Sequence, residues 1–375
     1  GRRCAKQCGS KANSHRKIQN HLTASKLSVP LETPPHPWYI YRHLLGWRGL
    51  VQLDIPPLTN NSAQGKALKT AVGVISQMNL TIQQGEKMAN PVDMVEVWRG
   101  GLLENIHQGH AVVCDDTGQI IESWGDPDVL IYPRSSCKMI QALPLVESGA
   151  ADRLTDRHLA LASSSHNAAA IHTDFVGDWL NDLGLSDSDF RCGPAMPMDQ
   201  DARYGLIRAH QEPCQIHNEC SGKHAGFLTL SQHLGGDADY ELIDHPVQKA
   251  IKAAFEDVTG ETSPMYGIDG CSAPNHACTL HGLGRAMSFY ATAHDRNDTR
   301  SKAAARLTQA MATCPEYVAG EGRTCTGLMR ATGNKIAIKT GADGLFVAIV
   351  PEKRIGIALK MMDGVNYAQN CVIAA

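Results

Sequence analysis

The sequence predicts an α+β fold: one antiparallel sheet flanked by helices, with a helical region between its first and last strands. Three observations predict it. Strand patterns come first, between Val95 and Tyr132; helix patterns fill the middle; three alternating strand patterns run from Lys335 to Lys360. Strands at the two ends of a chain bury their apolar faces by pairing in one sheet, and amphipathic helices cover it. A chain of 375 residues is long enough for a sizeable core. A hydrophobic fraction of 43% against a charged fraction of 19% describes a globular, soluble protein.

Each element has its local reason. Val95 to Arg99 and His110 to Asp115 read as strands; Asp116-Thr117-Gly118 is a turn signal, and Gln119 to Ser123 returns as a hairpin partner. Asp128 to Tyr132 is a further strand. A helix from Ser135 to about Glu147 stops at Gly149, with Pro144 kinking it. Another begins near Thr155 and leads to Ser163-Ser164-Ser165-His166. Ile171 to Leu183 is amphipathic, with Phe175, Trp179, Leu180 and Leu183 on one stripe. Residues 190–226 read mostly as loop, then helices follow over Gly222 to Leu234 and His245 to Thr259, the latter opened by Pro246. Tyr266 to Pro274 is a loop, and helices near 283–293 and 300–313 come next. Strands over Lys335 to Lys339, Gly344 to Val350 and Ile355 to Lys360 are joined by Gly341-Ala342-Asp343-Gly344 and Pro351-Glu352-Lys353-Arg354. A helix begins after Asp363-Gly364, and the natural protein is expected to extend beyond Ala375.

Residues 1–87 differ from the rest. They hold twelve Lys or Arg and only three acids (Glu32, Asp54, Glu86), so the body of the chain is acidic, although the net charge is −3. Two readings compete: an Arg-rich, acid-poor transit peptide, or upstream DNA translated in frame, with Met88 as the true start. The second is preferred, because the basic pattern runs long without amphipathic order. The expected division is therefore 1–87 as a non-native or disordered extension and 88–375 as a catalytic domain. An acidic body argues against nucleic acid as a ligand. No run of 18 apolar residues exists, so no membrane span is expected. The twelve cysteines are scattered, with no C-x-x-C pair, which reads as reduced, buried thiols in a cytoplasmic enzyme.

The chemistry centres on Arg134-Ser135-Ser136-Cys137-Lys138. Ser135 and Lys138 stand three apart, on one face of a helix. A serine needs a neighbouring base to attack at neutral pH. Lysine serves as that base when burial or a nearby cation lowers its pKa from about 10.4 to roughly 7–8. S-x-x-K alone is weak, and by itself reads as a capping serine and a surface lysine. It gains weight from Ser165-His166-Asn167, an S-x-N, and Lys339-Thr340-Gly341, a K-T-G. That trio, in that order, marks serine β-lactamases and penicillin-binding proteins.

Longer motifs point more narrowly. They are Trp98-Arg99-Gly100-Gly101-Leu102-Leu103-Glu104-Asn105, the Arg-Ser-x-x-Lys segment, Ser165-His166, Arg191-Cys192-Gly193-Pro194, Cys220-Ser221-Gly222-Lys223-His224, Asp269-Gly270-Cys271-Ser272-Ala273-Pro274, Gly320-Glu321-Gly322-Arg323 and Lys339-Thr340-Gly341-Ala342-Asp343. In this order, over about 92 to 375, the chain resembles the rhizobial-type (thermolabile, asparaginase II) L-asparaginases. The resemblance implies a β-lactamase/glutaminase-like fold and two Ser-Lys pairs, Ser135 with Lys138 and Ser165 with Lys339. It also implies a zinc ion held by two cysteines and a third side chain. The cysteines are assigned as Cys192 and Cys220. Three positions after Cys192 stands Ala195, which cannot bind a metal, so either the site is lost or His217 or a water serves.

The expected reaction is hydrolysis of L-asparagine to L-aspartate and ammonia. Ser135 attacks, Lys138 takes its proton, and Ser165 with Lys339 relays it to the leaving ammonia. Backbone N–H groups of Ser135 and of the residues after Thr340 are the expected oxyanion donors. Arg134 and Asp343 are the expected partners of the substrate carboxylate and ammonium, with His166, Gly341 and Ala342 lining the same site. Cys271, with no His/Asn arrangement to mark it as a nucleophile, reads as a buried thiol. Lys223 and His224 are helix-start groups, near substrate or merely solvated. A homodimer is expected from base frequency. The competing readings are a β-lactamase- or glutaminase-like amidase and a non-catalytic binding protein or inactive fragment of the same fold.

Overall fold

The computed structural model describes residues 90–375; the expected boundary at residue 87 lies outside them. Ten strands are described: β1 (Val92–Arg99), β2 (Leu102–Cys114), β3 (Ile120–Trp124), β4 (Leu130–Ile131), β5 (Tyr266–Ile268), β6 (Pro274–His276), β7 (Cys278–Thr279), β8 (Ala337–Thr340), β9 (Leu345–Val350) and β10 (Ile355–Met361). The main sheet is antiparallel, in the order β1-β2-β10-β9-β8, with β3 also on β2. β2 is the spine. Its first half pairs with β1 (Arg99 opposite Leu102) and its second half with β3 (Ala111 opposite Trp124), while β10 takes the other side (Leu359 opposite Ala111). The alternation expected over the last three strands places Lys339 opposite Val347. The two-residue reach of Arg99-Gly100-Gly101-Leu102 makes a tight hairpin because both glycines take a positive φ. β2 therefore starts eight residues before the strand read from sequence.

The α-helices lie between β4 and β8 in the chain, except for the last, which follows β10. A 3-10 turn, Arg134–Cys137, comes first, followed by α1 (Lys138–Gln141) and α2 (Leu143–Glu147). The single helix expected here is thus three short pieces. Pro144, near the start of α2, lacks the N–H that would continue the ladder. Next come α3 (Asp156–Ala162), α4 (Ala170–Asp182), α5 (Gln200–Arg208), α6 (Ser221–Leu234), α7 (Pro246–Thr259), α8 (Leu280–Ala291), α9 (Thr299–Thr313), α10 (Pro315–Val318), α11 (Thr324–Ala331) and α12 (Asn366–Ala374). α5 falls in a stretch read as loop; Asp199 caps it by accepting from the Ala202 amide, 2.9 Å. β5 lies in another stretch read as loop and pairs with β6 in a small hairpin.

α8 packs across β10, β2 and β9, and α12 against β9, β10 and β1. The α8 seam is close because Gly284 and Gly356 have no side chains there. A Cβ at Gly356 would fall on the Ser288 amide nitrogen. Val112, Leu283, Met287, Val347 and Ile349 fill the seam, each fully buried. Each such side chain contributes roughly 1.5–3 kcal/mol by leaving water. No helix among the described residues is long and apolar enough to cross a membrane.

Candidate active site

The site forms where the first turn of the helical layer meets the end of β8. Gly341 makes the approach possible. A Cβ there would lie 2.9 Å from the Pro133 carbonyl and 3.1 Å from the Ser136 amide. The third residue of K-T-G is therefore a glycine because the S-x-x-K turn sits on it. The Gly341 N–H donates to the Leu345 carbonyl, 2.7 Å, within the hairpin. It is committed there, which removes it from the expected oxyanion donors.

Three of the four expected Ser/Lys groups come together. The Lys138 Nζ donates to the Ser165 Oγ (3.0 Å), the Ser164 carbonyl (2.5 Å) and the Cys220 Sγ (3.1 Å). The Lys339 Nζ donates to the same Ser165 Oγ (2.9 Å) and to the Thr340 carbonyl (2.7 Å). Both lysines are 1% exposed and Ser165 is 7% exposed. The loop carrying Ser165 is pinned by its own amide on the Val318 carbonyl, 3.0 Å, and by the His166 amide on the Glu219 carbonyl, 3.2 Å. Burial, reinforced by the charge of Lys138, pulls the Lys339 amine down to about 7. A buried amine near neutrality is what a proton-transfer group needs.

Ser135 is placed differently. Its side chain is half-buried at the start of the turn, and among the described residues its hydroxyl makes no hydrogen bond, to Lys138 or otherwise. It sits in a 3-10 turn, not on an α-helical face with Lys138, and Ser136 is the turn's buried serine, donating to the Pro133 carbonyl at 2.7 Å.

Arg134 holds a left-handed backbone, φ +55°, which costs an arginine about 1–3 kcal/mol. Its Nε donates to Asp269 Oδ1, 2.6 Å, and its guanidinium also pairs with Asp343. The two groups expected to hold opposite ends of the substrate thus hold each other. Lys360 donates to the Asp343 carbonyl. Arg134, Asp343 and Lys360, with Leu130, Ile131, Tyr132 and Leu345, enclose a cavity of about 220 Å³ beside the turn. Ala342 is exposed at the tip of the β8–β9 hairpin.

His166 is buried, with both ring nitrogens committed. Its Nδ1 accepts from the Ala168 amide, 3.1 Å; its Nε2 pairs at 2.9 Å with Ser221 Oγ, which donates its own proton to the Ile216 carbonyl. Burial, with His172 and Lys138 adding to it, holds the ring well below the usual imidazole range and hence neutral. It supports the Ser165 loop and offers no free nitrogen to a substrate.

The thiols pair differently from the assignment that the resemblance implies. Cys192 faces the Gln215 carbonyl, 3.6 Å, and burial pushes its thiol up to about 12. His217 caps its own turn at Cys214. Cys220 is hydrogen-bonded instead to Cys271, whose Sγ accepts from the Lys223 Nζ at 3.1 Å. The bond from Cys220, then the charge of Lys223, hold Cys271 well below the usual thiol range, and Cys220 is raised in return. Burial works against the Lys223 charge, but Cys271, Cys220 and Asp269 outweigh it. Lys223 stands three positions after Cys220, the same interval that separates Ala195 from Cys192. Among the described residues, no three His, Cys, Asp or Glu side chains are arranged to hold a metal. The set of two thiols and one amine fits zinc once Cys220 and Lys223 release their protons.

A serine hydroxyl shared by two buried amines, with a half-buried second serine three residues before one of them, is the equipment of an amidohydrolase. Residues 95–375 match the sequence model of the L-asparaginase II family, and the chain belongs to that family. No curated protein matched it by sequence. Among solved structures it is similar to a putative β-lactamase from Bacteroides dorei, at 14% identity over 68% of this chain and 84% of that one, TM-score 0.39. It is also similar to a β-lactamase from Mycobacterium bovis, at 12% identity over 70% and 89% of the two chains, TM-score 0.35.

Proposed function

We propose that this protein hydrolyses the side-chain amide of L-asparagine to L-aspartate and ammonia through a serine acyl-enzyme. The observation that carries the reading is Ser165 Oγ, held at 3.0 and 2.9 Å between the amines of Lys138 and Lys339. Ser135 Oγ attacks the amide carbon, and its proton passes to Lys138. Such donor–acceptor distances tighten when substrate binds. Ser165 and near-neutral Lys339 carry the proton onward to the nitrogen. The C–N bond breaks, ammonia leaves, and water cleaves the ester with the same groups as base. The Ser135 N–H faces the developing oxyanion.

Cys220, Cys271 and Lys223 would hold a zinc ion, which would tie the segment carrying Cys220 and Lys223 to the loop carrying Cys271. No step of acyl transfer uses it.

A second reading makes Ser165 the nucleophile, favoured by its two amine partners. The test is ammonia release from L-asparagine by the wild type, Ser135→Ala and Ser165→Ala, with the acyl adduct located by peptide mass spectrometry. A kcat loss of about 10⁴-fold or more in Ser135→Ala, with the adduct on Ser135, supports the first reading. An adduct on Ser165 transfers the role. No ammonia from folded wild type, with nitrocefin cleaved instead, sinks the asparagine assignment.

A further inference from the structure

We propose that Asn275 is a positioning residue for the reactive turn: its carboxamide, seated on Asp269, clamps the Arg134 backbone and thereby sets Ser135. The inference rests on the reading of Ser135 as nucleophile. Asn275 lies on β6, 1% exposed, and its Oδ1 accepts from the Arg134 amide at 3.0 Å. Its Nδ2 donates to the Arg134 carbonyl at 3.3 Å and to Asp269 Oδ2 at 3.1 Å. A carboxamide carries one acceptor and one donor side by side, and here they match the N–H and C=O of a single residue. The other Asp269 oxygen holds the Arg134 Nε at 2.6 Å. One small unit therefore grips both the backbone and the side chain of the residue before Ser135.

The grip is needed because residue 134 is an arginine with φ +55°. A glycine would take this conformation freely. The arginine is retained because its guanidinium bridges Asp269 and Asp343, so another group must hold its backbone. Without Asn275, residue 134 relaxes toward negative φ and Ser135 swings away from its place at the start of the turn. A shift of about 1 Å at a reacting atom costs up to about 10²-fold in rate.

The experiment is a double-mutant cycle in the full chain: wild type, Asn275→Ala, Arg134→Gly and the double variant. The readouts are the rate of covalent labelling by a fluorophosphonate, located by peptide mass spectrometry, the melting temperature, and kcat and KM for L-asparagine. Asn275→Ala is expected to slow Ser135 labelling and kcat by about 10- to 100-fold, with KM held within about threefold. In the Arg134→Gly background the same change is expected to cost less than about threefold, because glycine needs no clamp. Equal losses in both backgrounds overturn the proposal. So does a fall in melting temperature with labelling and kcat intact, which would make the clamp structural only. If Asn275→Ala does not fold, Asn275→Ser carries the same comparison. A wild type labelled at Ser135 that releases no ammonia refutes the asparagine reading alone, and the labelling cycle still decides the clamp. Labelling confined to Ser165 overturns both.

Discussion

The seam beneath α8 and the site beside β8 are equally buried and built on opposite principles. The seam holds aliphatic side chains, a methionine and two glycines that bring backbone against backbone. The site buries the amines of Lys138, Lys339 and Lys223, each 1% exposed. Apolar burial stabilises by about 25 cal/mol per Å², whereas each charge taken from water costs several kcal/mol before its partners repay it. On the proposed mechanism this cost falls where the chemistry needs poised amines. Stability and activity should therefore separate when either region is altered.

The largest separation is expected from Lys339→Met. If Lys339 transfers the proton as proposed, this change should lower kcat about 10³-fold, yet raise the melting temperature. The folded-state pKa of Lys339 is about 7 against an ordinary 10.5. Between those pH values the unfolded chain holds a proton that the folded chain lacks, so stability rises with pH across that window. The cost is fully present below pH 7, and the gain from methionine should be greatest there and fade toward pH 10. Scanning calorimetry at several pH values reads it; a gain that does not change with pH would mean that Lys339 does not titrate in this window.

Gly356→Ala should do the reverse. The new methyl meets the Ser288 amide and the Gly284 carbonyl, both backbone, so α8 must lift. A loss of about 3 kcal/mol in urea unfolding is expected, with kcat per folded molecule unchanged. Lost turnover in the folded fraction would show that the seam also sets the site.

A smaller effect sharpens the role of Lys339 in the intact enzyme. Its amine must be neutral to accept a proton, so kcat should climb with pH through about 7 and fall about tenfold per unit below it. A profile flat from pH 6 to 8 would remove Lys339 from the rate-limiting proton transfer.

These contrasts also mark what the sequence discloses. The closing strands were legible because alternation and glycine turns are local signals, and they placed Lys339 at the end of a strand. The S-x-x-K turn was legible as a motif but not as geometry: Pro144 breaks the helix, and the Lys138 amine turns to Ser165, 27 residues away, instead of Ser135. α5 escaped because none of its residues is buried and Gly205 interrupts its middle. The contact of the Lys223 amine with the Cys271 thiol escaped because the two are 48 residues apart, and no spacing rule joins them. The clamp on Arg134 escaped for the same reason, with Asn275 lying 141 residues downstream.

The smallest expected effect tests whether charge alone distinguishes the site. Arg330 pairs with Glu316 and Glu321 at the surface, the arginine side chain 45% exposed. Pairs in such contact with water contribute about 0–1 kcal/mol, so Arg330→Ala should barely move the unfolding midpoint and leave kcat alone. Glu316 makes this more than a control. Its backbone carbonyl holds the His172 ring at 2.8 Å, and His172 stacks on His166, beside Ser165. If Arg330→Ala lowers kcat severalfold without lowering stability, the surface pair orients that histidine stack, and the boundary between the site and its exterior lies further out than burial suggests.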